Sequence, residues 1–218
     1  MIKKPFLIAE IGINHNGELN KALELIDVAK NSGADAVKFQ KRTPKIAIPK
    51  SQWKIKKITP WGQMSYIDYK IKTELSLDDY NVINNYCSKK DITWFASCWD
   101  IQSVKDLHDF NLPCYKIASA SITDLKLLSF VSSKKKPIFM STGMSSEKQI
   151  KAAYNKIKKN PNVIMHCNSE YPSKYQDLNL KYINQLKKRF KKSIIGYSGH
   201  EISLIPTVAA VVLGAKVI

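Results

Sequence analysis

Short apolar runs alternate with amphipathic segments along the whole chain. The first run is Phe6-Leu7-Ile8-Ala9-Glu10. The next segment, Asn20 to Lys30, places Ala22, Leu23, Ile26 and Ala29 on one helical face, with Gly33 near its C-terminal cap. A second strand is predicted at Ala36-Val37-Lys38-Phe39-Gln40. A long connection from Lys41 to Thr73 follows, and a connection of that length carries short elements of its own or a function. Beyond it the periodicity predicts helices over 77–90, 101–110, 122–133, 146–158, 178–190 and 203–213. They alternate with strands over 92–96, 114–117, 137–140, 163–166, 193–196 and 215–218.

Eight strands and seven helices in strict β-α order imply a parallel sheet with right-handed crossovers. A doubly wound sheet also alternates in this way. No GxGxxG follows a strand, which counts against dinucleotide binding. The count of eight, and polar residues after nearly every strand, favour an α/β parallel (β/α)8 TIM-type barrel, with residues 1–218 as one domain. Such barrels take about 250 residues. The last strand starts at Ala215 and its helix is absent, so the barrel is expected to be truncated in the eighth strand.

No apolar run approaches the roughly 20 residues of a membrane span. The start, Met1-Ile2-Lys3-Lys4-Pro5, lacks the features of a signal peptide, and a cytoplasmic enzyme is expected. The net charge of +17 raises nucleic-acid binding as one reading. The basic residues, however, gather as Lys134-Lys135-Lys136, Lys156-Lys158-Lys159 and Lys187-Lys188-Arg189-Lys191-Lys192. These sit at the ends of predicted helices, where cations meet the negative end of the macrodipole. Cys87, Cys98, Cys114 and Cys167 form no CxxC pair, and buried free thiols are the plain reading.

In barrels, chemistry sits at the C-terminal strand ends. The residues there are Glu10, Lys38 and Gln40, Ser97, Lys116 with Ser119 and Ser121, Ser141-Thr142-Gly143, His166 to Tyr171, and Ser198-Gly199-His200-Glu201. Lys38 and Gln40, two apart on a strand, face one side. Two lysines inside apolar runs need anionic partners, because burying a lone ammonium is costly. With several hydroxyls they suggest a phosphorylated or carboxylated ligand, and Lys38, Lys116, Ser119, Ser141 and Ser198 are expected to converge on it. His108 reads as an ordinary surface or packing residue and His166 as a satisfied core residue. His15 lies in a polar loop that could touch ligand, and His200 is the metal-ligand candidate. One histidine alone makes no metal site.

Ile8-Ala9-Glu10-Ile11-Gly12-Ile13-Asn14-His15-Asn16-Gly17 and Val37-Lys38-Phe39-Gln40-Lys41 resemble the N-acetylneuraminate (sialic acid) synthase family. So do Tyr115-Lys116-Ile117-Ala118-Ser119-Ala120, Ser141-Thr142-Gly143-Met144, His166-Cys167-Asn168-Ser169-Glu170-Tyr171-Pro172 and Gly196-Tyr197-Ser198-Gly199-His200-Glu201. The resemblance covers essentially the whole chain. It implies a condensation of phosphoenolpyruvate with an N-acetylated amino sugar such as N-acetylmannosamine, dependent on Mn2+ or Mg2+. Carbon 3 of phosphoenolpyruvate attacks the open-chain aldehyde, water adds at carbon 2, and phosphate leaves by C–O cleavage. By motif position Lys38, Ser97, Lys116, Ser119, Ser141 and Ser198 would hold the phosphoenolpyruvate. Glu10 would contact the sugar hydroxyls; it and Lys116 carry the catalytic assignment. Gln40, Ser169 and Tyr171 would line the substrate pocket, and His200 would bind the metal.

Some family members have Glu where Ser121 stands and Asn where Ser169 stands, so the amino sugar stays open, and related branches make legionaminic or pseudaminic acid. The family's second metal histidine lies just past Ile218, and its C-terminal antifreeze-like domain, which serves a homodimer partner, is not in this sequence. The chain as given is therefore expected to be inactive and to leave the edges of its first and seventh strands unpaired. Two alternatives stand beside this reading. One is another phosphoenolpyruvate–aldose synthase. The other is a basic nucleic-acid module, for which Trp53 and Trp61 near Lys54, Lys56 and Lys57 form the one aromatic-basic patch. The expected partners are small molecules, with no nucleic acid and no membrane.

Overall fold

The structure, a computed structural model, describes residues 4–218. Met1, Ile2 and Lys3, the first residues of the stretch read as lacking a signal peptide, lie outside the described residues. The fold is mixed α/β. The chain divides into two compact units, Ala9–Leu112 and a second made of residues up to Ile8 with Pro113–Ile218.

The first unit contains β1 (Ile8–Gly12), α1 (Leu19–Asn31), β2 (Ala36–Lys41), α2 (Pro44–Ala47), β3 (Lys56–Thr59), β4 (Gly62–Ser65), α3 (Tyr66–Lys72), α4 (Leu77–Lys89), β5 (Thr93–Cys98) and α5 (Ile101–Asp106). Its main strands neighbour one another in the order β1-β2-β5. β2 and β5 pair in parallel from Ala36 opposite Thr93 to Lys41 opposite Cys98. Every residue of β2 except Gln40 is buried, as expected for a strand covered on both faces. α1 buries Ala22, Ile26 and Ala29, the face its periodicity predicts. Gly33 follows it at φ +80°, the left-handed position that favours glycine after a helix. α4 starts on a capping box in which Ser76 and Asp79 each accept the other's backbone N–H. Phe39, Tyr80 and Trp94 form an aromatic core, with the Tyr80 and Trp94 rings stacked at 5.6 Å. The long connection carries its own antiparallel hairpin, β3 against β4.

The second unit contains β6 (Tyr115–Ile117), α6 (Leu125–Ser132), β7 (Ile138–Ser141), α7 (Glu147–Ile157), β8 (Asn162–Cys167), α8 (Tyr182–Arg189), β9 (Ile194–Ser198) and α9 (Ile205–Val212). The strands β6-β7-β8-β9 are neighbours in chain order and pair in parallel. Asp124 caps α6, and Ser146 with Gln149 forms a capping box on α7. The lysine clusters do fall at the ends of α6, α7 and α8.

Three differences from the sequence reading have local causes. α5 stops at Asp106 because tight turns follow, His108 N–H to the Lys105 carbonyl and Asn111 N–H to the His108 carbonyl. α8 starts only at Tyr182 because Asn179 is left-handed, at φ 43°. The eighth strand is present as one parallel bridge between Phe6 and Val217. The edges expected to be unpaired are paired there. Residues 216–218 bond to β9 through Lys216 N–H to the Ile195 carbonyl and Tyr197 N–H to the Val217 carbonyl. On their other side Phe6 N–H donates to the Lys216 carbonyl, and Ile218 N–H to the Phe6 carbonyl. No helix among the described residues is long and apolar enough to cross a membrane. All four cysteines are free and buried.

Candidate active site

In the first unit Glu10, Lys38, Gln40 and Ser97 form one connected group on β1, β2 and β5. Lys38, 8% exposed, donates to Ser97 Oγ at 2.9 Å and forms an ion pair with Glu10. A buried ammonium without such partners would cost several kcal/mol. Gln40 is half-buried, and its amide nitrogen lies 3.5 Å from the other Glu10 oxygen. Its side-chain oxygen accepts from the Arg42 guanidinium. Gly12, at φ +58°, lets the chain pass Glu10 closely: a Cβ there would stand 2.9 Å from a Glu10 oxygen.

Arg42 and Glu74, absent from the sequence reading, sit directly behind this group. Arg42 Nε is 2.9 Å from Glu74 Oε1, its backbone N–H donates to Glu74 Oε2 at 3.1 Å, and its guanidinium lies 4.8 Å over the Trp99 ring. Burial pushes the Glu74 carboxyl above its ordinary value, and the Arg42 charge opposes that shift. His15 is buried against Phe39, with the Gly17 N–H donating to its Nδ1. Burial lowers its pKa to about 4, so it is a neutral core residue near pH 7.

In the second unit Lys116 on β6 is buried and donates to Ser141 Oγ on β7 and to the Ile117 carbonyl at 3.2 Å. Ser119 Oγ accepts the Gly143 N–H at 3.1 Å. Gly143 is needed for space: an added Cβ would collide with Ser169 Oγ and come within 2.9 Å of Ser119 Oγ. Ser169 Oγ is buried with no hydrogen-bond partner among the described residues. Ser198 ends β9 opposite Cys167. Thus Lys116, Ser119, Ser141 and Ser169 come together, a set of hydrogen-bond donors suited to an anion.

His200 and Tyr171 meet at the edge of the same group. Tyr171 is exposed, and its hydroxyl is 2.8 Å from His200 Nε2, while His200 Nδ1 is 2.5 Å from the Asn168 carbonyl. A carbonyl only accepts, so Nδ1 carries the proton and Nε2 is the lone-pair nitrogen in the neutral ring. That is the tautomer a metal-binding histidine needs. Among the described residues no group of three His, Cys, Asp or Glu side chains gathers around it.

Cys167, read from sequence as an inert thiol, belongs to this group. Burial raises its pKa, but hydrogen bonds from His200 and Ser119 outweigh burial and bring the thiol below its ordinary value. Burial lowers His200 in turn, while the Cys167 sulfur and the Asn168 carbonyl raise it overall. The available signal was the place of Cys167 at a strand end, between His166 and Asn168. His166 itself is a satisfied core residue, its Nε2 2.7 Å from the Leu178 carbonyl.

The chain is 37% identical over 217 residues to N-acetylneuraminate-9-phosphate synthase of Homo sapiens, covering 98% of this chain and 60% of that protein. It is also 37% identical over 226 residues to N,N'-diacetyllegionaminic acid synthase of Campylobacter jejuni, covering 100% of this chain and 67% of that one. The crystal structure of N-acetylneuraminic acid (sialic acid) synthetase from Leptospira borgpetersenii serovar Hardjo-bovis matches with a TM-score of 0.89 at 29% identity, over 99% of this chain and 72% of the other. The chain thus spans about 60% of the length of the human relative. Residues 25–218 match the NeuB family, in agreement with both relatives, and the chain belongs to that family.

Proposed function

We propose that this protein is a transferase of sialic-acid-type carbohydrate biosynthesis. It condenses phosphoenolpyruvate with an N-acetylated amino sugar and releases phosphate. The observation that carries the reading is the donor set of the second unit, a buried lysine bonded to Ser141 beside the Gly143–Ser119 contact. Lys116, Ser119, Ser141 and Ser198, with Lys38 and Ser97, hold the phosphate and carboxylate. Fixed donors offset the ligand's negative charge and stabilise the leaving phosphate. Glu10 accepts from the sugar hydroxyls, and Gln40, Ser169 and Tyr171 line the sugar. Carbon 3 of phosphoenolpyruvate bonds to the aldehyde carbon, whose oxygen gains a proton. Water then adds at carbon 2, and phosphate departs as its bond to carbon 2 breaks.

A divalent ion, Mn2+ or Mg2+, belongs to this reading with His200 Nε2 as its ligand; the Nδ1 proton on the Asn168 carbonyl supports that choice. When bound, the ion would polarise the aldehyde oxygen. The whole chain as one (β/α)8 barrel domain, a cytoplasmic location and a homodimer complete the proposal. The β-α alternation of the parallel strands, interrupted only by the β3-β4 hairpin and its flanking short helices, and the Phe6–Val217 bridge support the barrel.

The test is phosphate release from phosphoenolpyruvate with N-acetylmannosamine and manganese, using phosphoenolpyruvate labelled with 18O in its bridging oxygen. Label in the phosphate supports the reading. No release with any N-acetylated amino sugar sinks it. The legionaminic alternative stands beside this reading because the identity to the Campylobacter jejuni relative is the same, and it is scored in the same assay with diacetamido sugars.

A further inference from the structure

The amide of Gln40 has two faces that differ only in which atom donates and which accepts. Its neighbours decide between them. The Arg42 guanidinium carries donors and no acceptor, and Gln40 Oε1 is bonded to it. The nitrogen end is therefore turned to Glu10, 3.5 Å away. Arg42 itself has little freedom. It is 5% exposed, its Nε lies 2.9 Å from Glu74, and its plane covers Trp99 at 4.8 Å. Glu74 in turn accepts the Arg42 backbone N–H, so the carboxylate holds one end of the residue by a hydrogen bond and the other by charge, Nε and Oε1 being close without forming a hydrogen bond. A guanidinium fixed on three sides makes a rigid template for the amide beside it.

We infer that Arg42 is a positioning residue that acts through Gln40: it fixes the amide so that its NH2 group, not its oxygen, faces Glu10 and the sugar. The sugar atom that meets Gln40 is then an acceptor, a hydroxyl or acetamido oxygen, and Glu10 beside it takes the sugar's donors. This rests on the assignment of Glu10 and Gln40 to the amino sugar.

The test is a double-mutant cycle between Arg42→Lys and Gln40→Ala, read with each substrate varied separately. Lysine keeps the charge opposite Glu74 but lacks the fork that reaches Glu74 and Gln40 together. R42K is expected to raise the KM for the amino sugar about 3- to 10-fold, the worth of one neutral hydrogen bond. The KM for phosphoenolpyruvate and kcat should stay within about twofold. In the Q40A background R42K should add nothing. Additive effects, or equal rises in both KM values, overturn the inference, because Arg42 would then act on the fold at large. If R42K does not fold, Gln40→Glu answers from the other side. Arg42 takes one oxygen, the other faces Glu10, and the amino-sugar KM rises above that of Q40A; equal values overturn the inference. An inactive wild type counts against the function only. The Gln40 side-chain amide signals, assigned by their loss in Q40A, then decide: they shift in R42K if Arg42 holds the amide, and unchanged signals overturn the inference.

Discussion

Lys38 and Lys116 occupy matching places in their own units, and they differ in what holds them. Each lies inside a buried strand and donates to a serine on the next strand, Ser97 for one and Ser141 for the other. Lys38 also meets a carboxylate, Glu10. The contacts of Lys116 include Ser141 Oγ on the next strand and the Ile117 carbonyl. An ion pair largely offsets the charge it contains, so Glu10 reduces what the Lys38 ammonium offers an anion. Under the proposed function, Lys38 therefore adds less to anion affinity than an unshared charge would, and Glu10 beside it faces the sugar hydroxyls.

Lys116→Ala should lower kcat/KM for phosphoenolpyruvate by roughly 10²-fold or more, since a charge-assisted contact contributes about 1.5–3 kcal/mol and more when desolvated. Lys38→Ala should lower it less, by roughly tenfold, because Glu10 already offsets that charge. Equal losses in steady-state kinetics would erase the distinction. Lys158→Ala, at the exposed end of α7, should match wild type. A loss there would mean that the overall field acts on the substrate, not the two strand lysines.

Gly143→Ala tests how tightly the second group is built. The new Cβ would stand 2.2 Å from Ser169 Oγ and 2.9 Å from Ser119 Oγ, so both must give, the first by about 1 Å, and kcat/KM should fall at least about tenfold. Wild-type kinetics would show that the serines there tolerate movement.

The smallest effect concerns the cations of the first unit. Lys41, Arg42 and Lys70 are buried near one carboxylate, Glu74. Burial, and then Arg42, lower the pKa of Lys70 to about 8 from 10.5. Between those values the unfolded chain binds a proton that the folded chain has released, so stability rises with pH across about 8 to 10.5. Below pH 8 the cost of burying the charge is fully present. Lys70 also lies over the rings of Tyr66 and Tyr69, which returns part of that cost. Lys70→Met should therefore stabilise by on the order of 1–2 kcal/mol at pH 7, with the gain fading toward pH 10.5. Denaturant melts at the two pH values measure it. A gain independent of pH would mean that packing, not charge, is responsible.

The strands and most helices were legible because their periods are local, as were Lys38 and Lys116, charges inside apolar runs. Helix ends were less legible where one backbone conformation decides them, as at left-handed Asn179. Arg42 and Glu74 were not legible as a pair: 32 residues separate them, and only the fold makes the buried arginine's partner visible. The state of Cys167 depends on His200, 33 residues later, so strand-end position alone could not distinguish a thiol tuned by imidazole from an inert one.

The bridge between Phe6 and Val217 also bears on how the second unit forms. Its partners are about 210 residues apart, so this contact closes one of the longest loops among the described residues and raises the contact order. The entropy of that closure is recovered only after the intervening strands have paired. The amides of Phe6 and Ile218 should therefore gain protection late in refolding, after those of β7 and β8, in pulse-labelled hydrogen exchange.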